Sequence, residues 1–365
     1  MNKKNDLAMR QHSEVACLGS PCLGLGDCLA INNCTELVPI CQGVDFELES
    51  RFSPKKQFGL ILADSYSRLG LNKKSERVSE CGTLLEFAVP VSGGSAKLHS
   101  ANFCRDRLCP MCSWRRSYKI FGQVSQIMEQ IGNDYQFLFL TLTVPSCDGA
   151  DLPSVLDSMF TAFHARFMRY ARIKKVVKGY FRALEITRNN NRSDKSYGLY
   201  HPHFHVVLAV PLGYFKSADY VQHDLWLSLW QKAMKDKTIT QVDIRRARPK
   251  DGAASKGSVP LASVVAEIAK YAVKSSDYLF PDDSTTTDSI VSVLSGALRC
   301  RRLTAFAGIF KDVAQQLQLD DPEDGDLVHL DDKLDADLCY IILRYSWGVG
   351  CYKLTDIVQS DSLGL

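Results

Sequence analysis

The alternation of apolar and polar positions changes character along the chain, and the changes mark its elements. Residues 1–77 carry little periodic apolar pattern and read as a polar, mobile N-terminal arm. From residue 84 the pattern sharpens. The run FLFLTLTVPS over 137–146 is short, apolar and Thr-rich, which predicts a mostly buried strand stopped by Pro145. Over 156–171 the apolar positions Leu156, Met159, Phe160, Phe163, Phe167 and Tyr170 recur at spacings of three and four and so line one face of a helix. These aromatics belong to the core and not to a stacking platform. Two more strands are predicted, GYFRALEIT over 179–187 and PHFHVVLAV over 202–210, joined by a polar hairpin-like loop; helices follow over 224–237 and 262–274.

A strand, a helix and then hairpin-joined strands predict an α+β fold, an antiparallel sheet with helices packed on it, and not alternating βαβ units. No internal repeat is present. Residues 281–297, rich in Asp, Ser and Thr, read as a linker. The chain thus divides into an arm over 1–77, a main domain over 78–280 that includes a cysteine cluster at 81–112, and a linker with a C-terminal segment over 281–365, acidic over 311–340.

Charge changes this picture locally. The net charge is only +3, yet residues 161–195 hold ten Lys or Arg against Glu185 and Asp194, while 311–340 hold ten Asp or Glu against Lys311 and Lys333. A basic stretch of this kind suits a polyanion, because each cation meeting a phosphate releases counterions; a solvated helix face accounts for the charge equally well. Arg169, Arg172, Lys174, Lys175 and Lys178, with Arg115 and Arg116 beside the cysteine cluster, are the candidate DNA contacts. Thirteen cysteines and no apolar leader at the start point to a reducing compartment, the cytoplasm, and no stretch approaches the roughly 20 apolar residues of a membrane span.

Three constellations carry chemistry. In HPHFHVVLAV over 201–210, period two sends His203 and His205 to one strand face, where two imidazoles can share a divalent ion. Glu185, in the preceding strand, can face that pair as a third ligand, and His201 shares its parity. In EIAKYAVKSSDY over 267–278, helical spacing stacks Glu267 and Tyr271 four residues apart, flanked by Lys270 and Lys274, cations that favour a phenolate. Isolated Glu and Tyr pairs of this kind are also common as plain surface contacts. Third, CRDRLCPMC places Cys104, Cys109 and Cys112 in a C-x4-C-x2-C run, with Cys81 or His99 available as fourth ligand of a tetrahedral zinc; buried unliganded thiols are the alternative. Cys17, Cys22, Cys28, Cys34 and Cys41 are too irregular for a metal site.

In this order, FCRDRLCPMCSWRRS, FLTLTVPS, GYFRALEIT with HPHFH, EIAKYAVKSSDY and the basic RRLTAFAGIFK of 301–311 resemble the replication initiator (Rep) proteins of small bacterial rolling-circle plasmids, members of the HUH endonuclease superfamily. The resemblance covers about residues 78–312. It implies a ferredoxin- or RRM-like nicking domain over 78–280. A divalent metal, Mg or Mn, would be held by His203, His205 and Glu185, Tyr271 would be the nucleophile, and Glu267, with Lys274 nearby, would activate water. Cys81, Cys104, Cys109 and Cys112 would hold structural zinc. The expected product is a 5′-phosphotyrosyl link and a free 3′-hydroxyl at a plasmid origin. The next tyrosine, Tyr278, lies seven residues on, which favours a single-tyrosine mechanism. No G-x-x-x-x-G-K-[ST] motif occurs, so a host helicase as well as a polymerase is an expected partner, and no membrane is. A mobilisation relaxase or single-tyrosine transposase would use the same residues; a non-catalytic, zinc-stabilised DNA-binding protein would need only the cysteines and the basic stretch.

Overall fold

In a computed structural model of the chain, residues 42–248, 258–270, 272–330 and 338–360 are described. They fall into two compact units: the smaller draws on the chain before residue 55, on 84–100 and on the chain from 335, and the larger takes 55–83 and 101–334.

The smaller unit is a four-stranded sheet. Strands β1 (Leu84–Pro90) and β2 (Lys97–Ala101) join β9 (Tyr340–Gly348) and β10 (Cys351–Ser360) in the order β10-β9-β1-β2, with β1 and β9 antiparallel from Leu84 opposite Ser346 to Pro90 opposite Tyr340. Phe87 stands edge-on between Phe52 and Tyr345, at ring-centre distances of 5.8 and 6.1 Å. Such pairs add specific geometry to apolar burial.

The larger unit is built on a six-stranded sheet. Its strands are β3 (Tyr135–Thr143), β4 (Gly179–Arg188), β5 (Tyr200–Pro211), β6 (Val242–Arg248), β7 (Ser258–Pro260) and β8 (Thr304–Gly308). They run β7-β6-β3-β5-β4-β8, antiparallel except for the β6–β7 pair. The α+β architecture with helices on an antiparallel sheet is therefore as the sequence pattern predicts.

Period two divides the side chains between two faces. On one face Phe137, Phe139, Phe181, Ala183, Val207 and Ala209 pack with the buried stripes of α3 (Pro110–Ile131), α7 (Leu261–Ile268) and α9 (Ile309–Gln316). On the other, Phe163 of the helical segment after β3 lies 5.5 Å from the Phe204 ring, and the buried Arg182 guanidinium covers Phe160 and Phe204 at 4.7 and 4.8 Å. Trp230 of α6 (His223–Met234) closes this side and donates through Nε1 to the Thr143 carbonyl at 2.8 Å.

Four sequence readings are corrected. The helix expected over 156–171 is α4 (Leu152–Thr161), followed by a π turn, Ala162–Arg166, a 3-10 turn, Phe167–Arg169, and the short α5 (Ala171–Val176). The wide turn keeps both Phe163 and Phe167 fully buried. Within the stretch read as an arm, α1 (Ser53–Arg68) and α2 (Asn72–Ser79) form, because Leu62, Tyr66 and Val78 find a core and the buried Lys56 ammonium donates to the carbonyls of Ser79 and Cys81. The stretch read as a linker is α8 (Ser284–Ala297): Asp283 caps it by accepting from Thr286 N at 3.0 Å, so its polar residues are those of a helix start, while Ile290, Val291 and Leu294 are buried at helical spacing. The helix expected to reach residue 274 ends at Ile268. The Ala272 carbonyl accepts instead from Ile186 N of β4 at 2.7 Å, which draws the chain onto the sheet.

Phe163 is fully buried among Phe167, Tyr180 and Phe204, so Phe163→Ala should cost about 3–5 kcal/mol of unfolding free energy in urea titration.

Candidate functional site

The register of β4 on β5 builds the site. Glu185 lies directly opposite His203, and Ala183 opposite His205, so the carboxylate and both imidazoles share the face that carries α3 and α7. Glu185 Oε2 is 3.2 Å from His203 Nε2 and 2.8 Å from His205 Nε2, and all three side chains are buried. The ligand atoms lie within 4.8 Å of one another, a spacing able to hold a metal ion.

The rings are oriented by their other nitrogens. His203 Nδ1 donates to the His201 carbonyl at 3.1 Å, and His205 Nδ1 meets Thr141 Oγ1 at 3.2 Å. With its Nδ1 proton committed, a neutral His203 presents the Nε2 lone pair toward the carboxylate, and two acceptors at that distance need a cation between them or a second proton on the ring. Phe139 stacks on His205 at 5.4 Å. Burial pushes the Glu185 carboxyl up, but hydrogen bonds and charge from His203 and His205 outweigh it and hold the group well below the usual carboxylate range. His201 stands apart, half-buried, with its Nδ1 3.4 Å from Ser146 Oγ.

Glu267, in the last turn of α7, brings Oε1 to 3.7 Å from His205 Nε2 and is ion-paired with Lys270. Tyr271, and with it the expected pairing with Glu267, lies outside the described residues; α7 itself ends at Ile268. Its chain neighbours are described: Lys270 is tied to Glu267, and Ala272 is tied to the backbone of β4 one residue from Glu185. Lys274 is exposed. Tyr278 is 1% exposed, and its hydroxyl donates to the Leu108 carbonyl.

The second cluster joins Cys81, Cys104, Cys109 and Cys112; His99 is not part of it. Sulfur separations are 3.5 Å for Cys81–Cys112 and Cys81–Cys109 and 3.7 Å for Cys104–Cys112, close to the ~3.8 Å that four thiolates require around a zinc at ~2.3 Å. Backbone N–H groups of Cys104, Arg105 and Asp106 donate to the sulfurs of Cys81, Cys112 and Cys104. The turn requires a left-handed Arg105, at φ 61°, which a non-glycine residue adopts only when its surroundings hold it. Mutual hydrogen bonds among the cysteines pull the Cys112 thiol down and push the Cys81 and Cys109 thiols up, so the four sulfurs share their protons as one coupled group. Cys17, Cys22, Cys28, Cys34 and Cys41 lie outside the described residues.

The candidate DNA contacts divide. Arg115 is buried and donates to the carbonyls of Leu327 and Val328, and Arg116 donates to those of Arg105, Asp106 and Glu323; both are structural, because carbonyls left inside the fold must be satisfied. Arg172 and Lys175 pair with Asp219, while Arg169, Lys174 and Lys178 remain exposed. Sequence reasoning missed Thr141 and Phe139 as supports of His205; their place in the strand FLFLTLT, beside the histidine strand, is the signal that could have found them.

The model of the replication protein family matches residues 95–353. The chain belongs to that family. The match starts after residue 78 but runs past residue 312, where the motifs end, and takes in β9 and the first three residues of β10. Among its relatives, a "Protein rep" of Bacillus amyloliquefaciens is 38% identical over 316 residues, covering 81% of this chain and 91% of that protein. One of Bacillus sp is 40% identical over 297 residues, covering 78% and 94%. One of Streptococcus pneumoniae serotype 2 is 34% identical over 287 residues, covering 77% and 84%. No solved structure matches the chain, and among the described residues no helix is long and apolar enough to cross a membrane.

The sulfur geometry leads to one expectation for this family member. The purified protein should contain about one zinc per chain, and Cys109→Ser should lose the metal and lower the melting temperature. Elemental analysis beside thermal melting checks this, and a well-folded wild-type chain without zinc would count against it.

Proposed function

We propose that this replication protein initiates rolling-circle replication of a plasmid by nicking one strand at the origin, with Tyr271 as the nucleophile and Glu185, His203 and His205 as metal ligands. The observation that carries this reading is the buried carboxylate between two imidazoles, with Glu267 at 3.7 Å, on the chain of a replication protein. A divalent ion such as Mg or Mn, held there, would act as a Lewis acid on the scissile phosphate.

The side chains supply the rest. Tyr271 attacks phosphorus, its phenolic proton is lost, the bond from phosphorus to the 3′-oxygen breaks, and that oxygen leaves as a 3′-hydroxyl that a host polymerase extends. The phosphotyrosyl link conserves the bond for later strand closure or release. Lys270 holds Glu267 in place, and Glu267 takes the proton of the water that resolves the link at termination. Unwinding comes from a host helicase. Arg169, Lys174 and Lys178 contribute to origin binding, and the cysteine cluster holds structural zinc.

His203→Ala and His205→Ala should each abolish nicking of supercoiled origin plasmid while leaving duplex affinity nearly unchanged, because affinity for duplex rests on surface cations. Nicking at the wild-type rate by either variant would sink the metal assignment.

Tyr271→Phe should give neither nick nor adduct. Glu267→Ala should still nick but release the strand about 10²- to 10⁴-fold more slowly, the range of a lost general base. Peptide mapping of the chain trapped on a labelled origin oligonucleotide decides the nucleophile: an adduct on any other residue refutes Tyr271.

A further inference from the structure

Helix α3 carries a feature that this chemistry leaves unused. Ile120, Val124, Ile127, Met128 and Ile131 bury one of its faces in the sheet core. Trp114, Tyr118 and Phe121, at positions i, i+4 and i+7, line a different face. Tyr118 and Phe121 are 44% and 39% exposed, unusual for large rings in neighbouring turns of one helix. With Ala269, Lys270 and Lys274 they border an open groove of about 420 Å³, and none of the described residues lining it is acidic. Two further cations lie near the rings: Lys55 Nζ is 4.5 Å from the Trp114 ring centre, and the Arg115 guanidinium 5.8 Å from that of Tyr118.

We propose that this groove binds single-stranded DNA, with unpaired bases beside the scissile phosphate stacked on Tyr118 and Phe121 and a backbone phosphate held by Lys274. Rings on the walls and cations on the rim suit a ligand that is anionic and has π-faces. Single-stranded DNA is both, whereas a duplex keeps its base faces stacked on each other. The groove is continuous with the candidate site, since Lys270 is ion-paired with Glu267, which in turn lies 3.7 Å from His205. The inference rests on the nicking reading, because a strand must leave the duplex for its phosphodiester to reach the buried cluster.

The test is fluorescence anisotropy of a labelled single-stranded oligonucleotide with the full-length, zinc-loaded protein and no added Mg or Mn. Tyr118→Ala and Phe121→Ala should each weaken binding about 5- to 100-fold, the scale of one lost base–aromatic stack. Tyr118→Phe should bind like wild type, Tyr118→Leu like Tyr118→Ala, and duplex affinity should change less than about twofold. Unchanged melting temperature establishes that the exposed substitutions leave the fold intact. Single-strand affinity equal to wild type in both alanine variants overturns the proposal. So does full affinity in Tyr118→Leu, which would mark the groove as an apolar docking surface for protein. Because no nicking is read, the two ideas fail separately. Loss of single-strand binding in Tyr118→Ala upholds the groove even where His203→Ala still nicks, and His203-dependent nicking with indifferent ring variants removes the groove alone.

Discussion

Glu185 is 6% exposed and ionised, so the fold around it depends on positive charge supplied by His203, His205 or an ion between them. An unpaired buried carboxylate costs several kcal/mol, roughly half the stability of an ordinary domain. The β4–β5 register prevents that cost by placing the imidazoles opposite, and a slip of one residue between these strands would leave the carboxylate and the imidazoles on different faces of the sheet. The long antiparallel ladders of β3, β4 and β5 fix this register, and α3 and α7 cover the face on which the cluster sits.

α3 is in turn held at its start and at its middle. At its start, Cys109 and Cys112 belong to the sulfur cluster; farther along, the chain after α9 wraps it. The Lys119 ammonium, 5% exposed, reaches Asp320 at 2.7 Å and the carbonyls of Asp321 and Asp326, and Gln123 donates to Asp320. A Cβ at Gly325 would meet the Asp320 carboxylate and the Lys119 ammonium, so a larger residue there would have to displace this ion pair. A helix pinned by the cysteine cluster and by the buried Lys119 ammonium can present its remaining face without bending.

How legible was this in the sequence? The histidine pair was legible because a strand has a period of two, and that period survives any tertiary context; Glu185 followed from antiparallel pairing across a hairpin. The cysteine spacing was equally local, although the choice of Cys81 over His99 needed the long-range return of the chain. The end of α7 was not legible, because a carbonyl captured by a neighbouring strand, as Ile186 captures Ala272, leaves no mark on periodicity. Polar composition misled twice, at 1–77 and at 281–297. Lys56 and Asp283 are polar residues that serve helices, one by satisfying buried carbonyls and the other as a cap, and composition does not distinguish such roles from loop chemistry.

Charge runs misled in a more instructive way. The acidic stretch pairs with basic residues in and just before α3 some 200 positions away, at Lys119–Asp320 and Arg107–Glu323. Arg115 and Arg116 spend their donors on backbone carbonyls. A local excess of positive charge in a sequence therefore overstates the field a polyanion meets, and so does a local excess of negative charge. Among the candidate DNA contacts the fold leaves Arg169, Lys174 and Lys178 exposed around α5, and Lys274 is exposed beside the aromatic groove. Steering depends on these, because exposed charges separated from carboxylates keep their long-range attraction for phosphate, whereas paired ones present little net field beyond about 8–10 Å at physiological salt. A net charge of only +3 is thus compatible with a chain that binds DNA, provided its carboxylates are drawn inward against α3 while a few cations stay at the surface.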